Sequence, residues 1–187
     1  MDQLVRALDA LHAIRAQFFS GYVHGFLAEG RLRTAAFAEG LAAVEAGLAL
    51  AETTLDRSYA SELWRLKGEL LLALSATPRH RPQRGSPTGE MTIATRNSGW
   101  PEAERCLLRA LEMSRATQAK SLELRAATSL ARAWQAHGRI DEARAALAEI
   151  CNWFNASLAS ADLVEARVLL GELAPSLPRR ARRKAGA

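Results

Sequence analysis

The sequence predicts an all-α protein made by repeating one helix pair, and three observations predict it. Of the 187 residues, 38 are alanine and 28 leucine. These are the strongest helix formers, while the β-branched and aromatic residues that favour strands are few. The prolines fall in three places, at 78, 82 and 87, at 101, and at 175 and 178. Residues 1–75 and 102–174 can therefore run as helix, because proline is what breaks helix interiors. Finally, small residues set among apolar ones recur at fixed spacing. Ala28 to Gly68 and Ala103 to Ala143 are each 40 residues, and Gly40 to Ala103 and Gly68 to Ala131 are each 63. Those intervals describe one 40-residue unit, interrupted once by a net insertion of 23 residues.

The elements follow in order. A helix over 2–16 carries Leu4, Ala7 and Leu8 where the second helix of a unit has its apolar residues, so it reads as half of a pair. Unit one is 17–34 with 37–53, centred on Ala28 and Gly40. Unit two is 58–75 with 101–117, centred on Gly68 and Ala103. Unit three is 120–137 with 140–156, centred on Ala131 and Ala143. A lone helix over 161–173 repeats the first-helix pattern once more, with Gly171 one period beyond Ala131. Local signals agree. Gly138 stands where a helix end wants a left-handed residue. Pro101 suits the start of a helix, and Glu102, Glu104, Asp141 and Glu142 suit first turns. A helix pair exposes an apolar stripe that only its neighbour can bury, so such units stabilise one another by stacking. The reading is a single helical domain over 1–174, interrupted by a flexible segment at 76–100 that is rich in Pro, Gly, Ser, Thr and Arg, and followed by a disordered basic tail at 175–187.

The net charge of +5 belongs to those two segments. Residues 76–100 hold four basic side chains and one acid, and 179–187 hold five basic side chains and none. The helical remainder is slightly acidic, so the positive excess is no sign of a basic folded surface. Cys106 and Cys151 sit in helical patterns and read as small core residues of a reducing compartment. No apolar run approaches the ~20 residues a membrane helix requires, and the first residues carry charge rather than an apolar leader. A cytoplasmic protein without membrane contact is expected.

Little in the chain points to chemistry. His12, His24, His80 and His137 never pair at metal-ligand spacing and read as surface or capping residues. There is no Gly-rich phosphate loop and no strand pattern to carry one. No catalytic residue, cofactor or metal is expected, and the chain is read as not an enzyme. Trp64, Trp134, Trp153 and Phe154 are assigned to packing between helices.

The small residue following a short acidic turn (AEG, PEA and DEA in units one to three) resembles tetratricopeptide repeats. Trp64 and Gly68 in LWRLKGELLL match the start of that family's first-helix signature, and Trp134 stands at an aromatic position. The 40-residue period is longer than the usual ~34. QAKSLELRAATSLARAWQAHGRIDEARAALAEICNWFN, with ADLVEARVLLGEL, ASELWRLKGELLLAL and FAEGLAAVEAGLALAE, resembles the C-terminal repeat region of bacterial proteins that fuse a class III adenylate cyclase domain to an AAA-type ATPase module. The likeness covers about 1–75 and 101–174. It implies a right-handed α-solenoid acting as a regulatory or scaffolding array, with the catalytic parts elsewhere.

In such a stack the first helices of the pairs line a concave face. Counting from each central small residue, that face carries Tyr22, Glu29 and Arg33 from unit one, Glu62, Arg65 and Glu69 from unit two, and Arg125, Thr128, Arg132 and Gln135 from unit three. Arg65, Arg125 and Arg132 are expected to form a basic strip. The expected role is non-catalytic recognition of a protein or peptide, such as an ATPase or cyclase domain of the same system. A second copy bound through the N-terminal helix is a further expected partner. The alternatives are a nucleic-acid-associated protein using the basic loop and tail, which their lack of interleaved aromatics disfavours, and the truncated remnant of a longer ATPase or cyclase.

Overall fold

The computed structural model describes residues 3–6, 10, 19–54, 57–77, 99–155 and 159–174. Among these the regular structure is entirely helical. Residues 3–6 are helical. The longer helices are α1 (Ser20–Arg33), α2 (Phe37–Thr54), α3 (Ala60–Ala76), α4 (Trp100–Ala116), α5 (Lys120–Ala136), α6 (Ile140–Trp153) and α7 (Ala161–Glu172). The periodicity places each of these to within a few residues. The basic tail, the interior of the 76–100 segment, His12, His80 and most of the helix expected over 2–16 lie outside the described residues.

Each helix from α1 to α7 packs against the next one along the chain. In addition α1 packs on α3, α3 on α5 and α5 on α7, while the even-numbered helices make no comparable contacts with one another. The odd helices therefore form an inner row and the even helices flank it. One apolar cluster centres on Val44, Leu63, Leu66 and Leu70. The other runs from Leu107 through Leu124, Leu130 and Leu147 to Leu163 and Leu173, with Trp64 and Leu72 of α3 packed against it.

The central small residues do what their spacing implies. Ala28, Ala103, Ala131 and Ala143 are fully buried. A Cβ added at Gly68 would stand 2.7 Å from Leu107 Cγ and 3.1 Å from the Ala103 carbonyl oxygen, so α3 and α4 touch through a position that only glycine allows. Gly40 meets Leu70 in the same way, at 2.7 Å. Gly171 differs. It is exposed, with nothing within 4 Å of its Cβ position, because no described helix lies against that side of α7.

Three of the short turns are the same device. After α5, the Arg139 amide donates to the Trp134 carbonyl and the Gly138 amide to Gln135, with Gly138 at φ +76°. This is a Schellman closure, in which a left-handed residue lets the chain satisfy the last carbonyls. Ala36 to Arg31 with Ala35 to Leu32, and Ala119 to Ser114 with Gln118 to Arg115, close α1 and α4 identically. There the left-handed residues are Ala35 (φ 57°) and Gln118 (φ 55°), both carrying a Cβ. Relieving that strain by Ala35→Gly should stabilise the fold by about 1 kcal/mol. Thermal unfolding should show a rise in Tm of several degrees, and an unchanged or lower Tm would contradict it.

Cys106 and Cys151 are buried free thiols, and burial pushes both above the ordinary thiol range. Three side chains depart from expectation. His24 is buried rather than superficial. Trp153 is 60% exposed and reaches Lys120 and Phe154 at the surface instead of packing between helices. Glu104 does more than start a helix. It accepts from Trp134 Nε1 at 2.7 Å and pairs with Arg139, tying α4 to the far end of α5. Glu142 also binds Arg139, which holds its carboxyl below the usual range.

Candidate functional site

A polar cleft of about 250 Å³ runs along the inner row and is lined by the odd helices alone. Glu29, Leu32 and Arg33 come from α1, and Arg65 and Glu69 from α3. Arg125, Thr128, Ser129 and Arg132 come from α5, and Asp162 and Glu165 from α7. Side chains of neighbouring odd helices meet across the row: Arg125 against Glu62, Ser129 against Arg65 and Glu69, and Arg132 against Glu165.

The floor is a buried ion network. Glu62 is 1% exposed and Arg65 is 5% exposed. The Arg65 guanidinium donates from Nη2 and Nε to the two Glu62 oxygens, at 2.6 and 2.9 Å, and from Nη1 to Glu69 at 2.7 Å. Such two-pronged pairing is the geometry that best offsets the cost of burying charge. Burial by itself would pull the Arg65 pKa down, but Glu62 and Glu69 outweigh it and hold the group above the ordinary arginine value. Ser129 Oγ accepts from Arg65 at 3.3 Å and donates to Glu69 at 2.6 Å. Arg125 reaches Glu62 at 3.0 Å and Glu29 at 3.8 Å, so the network joins α1, α3 and α5. At its margins Arg33 binds Glu29, and Arg132 binds Glu165 across α5 and α7 at 2.6 Å.

This overturns the basic strip. Arg65, Arg125 and Arg132 are each matched by a carboxylate, and Arg65 is structural rather than accessible. Of the expected groove residues, Glu29, Arg33, Arg65, Glu69, Arg125, Thr128 and Arg132 line the cleft, and Glu62 lies beneath it. Tyr22 and Gln135 do not line it. Tyr22 packs instead on Tyr59 in a tilted pair, with ring centroids 4.3 Å apart. Sequence reasoning missed Ser129, Asp162 and Glu165. Glu165 was legible, since it stands six residues before Gly171 just as Glu62 precedes Gly68. Ser129 carried no signal, because its role depends on which α3 side chains it meets.

Tyr59 stands at the α1 end of this network, its ring packed against Gly25, where an added Cβ would collide with Cε1. Burial, and then the Glu62 carboxylate, push its phenol from 10.0 up to about 12. The folded state thus holds this proton more tightly than the unfolded chain. The associated stability is complete below pH 10 and is lost as pH rises from 10 to about 12. Across that window the urea midpoint of the wild type should fall more than that of Tyr59→Phe. A parallel decline would show that Tyr59 does not titrate late.

Among the described residues no three His, Cys, Asp or Glu side chains form a group able to hold a metal ion, and no helix is long and apolar enough to cross a membrane. What the cleft offers is paired charge of both signs with hydroxyls from Thr128 and Ser129, a surface suited to polar recognition. No family model matches the chain, and neither does any curated protein at a significant level.

Proposed function

We propose that the chain is a right-handed α-solenoid of tetratricopeptide-like hairpins serving as a non-catalytic protein-interaction or regulatory module. In this reading it is related to the C-terminal repeat region of bacterial class III adenylate cyclase and AAA-type ATPase fusion proteins. The observation that carries the reading is the cleft itself: four helices spaced by the repeat contribute its lining, and no even-numbered helix does. A polar face of this kind recognises a partner segment through hydrogen bonds and compensated charge, which sets specificity and orientation more than raw affinity. The partner is a peptide or domain surface carrying charges of both signs, able to exchange with the exposed pairs Arg33–Glu29 and Arg132–Glu165.

Titration calorimetry of the purified chain against separately expressed cyclase and AAA-type ATPase domains of such fusion proteins tests this. Binding to one of them is expected, weakened about ten-fold or more by Arg132→Glu, the loss of roughly one good charged contact. The double variant Arg132→Glu, Glu165→Arg restores the internal ion pair but not the outward charge pattern, so it should remain weak. Recovery of binding in the double variant would assign the effect to folding, and no binding to any domain would overturn the reading.

A further inference from the structure

Among the described residues, the two outer faces of the inner row are open in a complementary way. On α7, Val164 and Val168 are 49% and 58% exposed and Gly171 is open. Their repeat equivalents on α5 are Leu124, Thr128 and Ala131, all buried. On α1, Phe26 is 50% exposed, whereas its equivalents Leu66, Ser129 and Leu169 are 1%, 7% and 4% exposed. The positions left open at one end are the ones that meet the positions left open at the other. Within the row, Arg65 of α3 touches Ser129 of α5, and Arg132 of α5 touches Glu165 of α7. Carried one step further, the first relation sets Val168 of α7 against Phe26, and the second sets Glu172 against Tyr22, a carboxylate against a phenol. The two ends therefore match in polarity as well as in register.

We propose that a second copy of this chain docks head to tail, its α1 continuing the inner row beyond α7. The proposal rests on the repeat reading given above. The flanking position would be taken by the second copy's helical residues 3–6. By register its Leu4, described as helical and half-buried, corresponds to Leu107, the residue that fills Gly68. Leu4 would then cover Gly171. The contact joins two different patches, so it does not close on itself as a twofold dimer does, and it propagates into rings or open chains.

Light scattering on the full-length chain across a dilution series, with Val168→Glu and Phe26→Glu, tests this. Both substitutions are at exposed positions, and circular dichroism confirms that each variant folds. The wild-type mass should grow past that of a dimer with concentration, and each variant alone should stay monomeric. An equimolar mixture of the two variants should form a one-to-one dimer and stop, since it holds one intact junction. A wild type that stays monomeric would overturn the proposal, as would a dimer abolished by one substitution and untouched by the other. A monomer that still binds a cyclase or ATPase domain in the titration above would remove this inference and leave the proposed function standing.

Discussion

Replacing Arg65 with methionine should destabilise the fold by about 3–5 kcal/mol, the usual cost of removing one partner from a buried ion pair. Methionine fills much of the same volume, so the loss is electrostatic. Glu62, 1% exposed, keeps Arg125 at 3.0 Å as its cation among the described residues and loses the two-pronged contact. Glu69 and Ser129 lose their shared donor as well. The companion substitution Glu62→Leu should return a large part of that stability when added to Arg65→Met, because an apolar pair no longer leaves a charge stranded. Urea unfolding of the two single variants and the double variant gives the coupling. Additive losses would show that the pair does not act as a unit.

Gly68→Val should be of similar size, at about 3 kcal/mol, for a different reason. Added atoms in a well-packed interface usually cost 1–3 kcal/mol, and here one obstacle is the Ala103 backbone at 3.1 Å, which cannot turn aside as a side chain can. Gly68→Ala should cost less, about 1–2 kcal/mol, since alanine recovers roughly 1 kcal/mol of helix propensity over glycine. Gly171→Ala is the internal control. At the penultimate residue of α7 it gains a smaller part of that propensity and meets nothing within 4 Å, so it should be neutral or stabilising in the isolated monomer. Thermal and urea midpoints check all three. Equal effects at 68 and 171 would contradict the close approach of α3 and α4.

The two glycines also mark how far the sequence can be read. Both stand at the small-residue position of the repeat pattern, 103 residues apart, which is two 40-residue periods plus the 23-residue insertion, and that spacing is visible in the chain alone. That one is closed by Leu107 and the other open depends on whether a helix lies alongside. The same division runs through the cleft. Counting from the central small residues brought Glu29, Arg65, Glu69, Arg125 and Arg132 to one face. Counting cannot tell that Arg65 is buried in the floor of that face rather than accessible on it. Nor does it tell that Glu62 and Glu69 cancel the charge on which a basic strip would depend.

The sequence by itself determined the helices, their order, their 40-residue period and the small residues through which they approach, because these follow from local propensity and from which positions must be apolar. Tertiary structure decided burial and charge pairing: Arg65 as a structural cation, Glu104 as the acceptor for Trp134, Trp153 at the surface, and Val168 and Phe26 at open ends. Each of those depends on which side chain arrives from another helix, and a pair such as Arg65 and Ser129, 64 residues apart, meets only after the chain has packed.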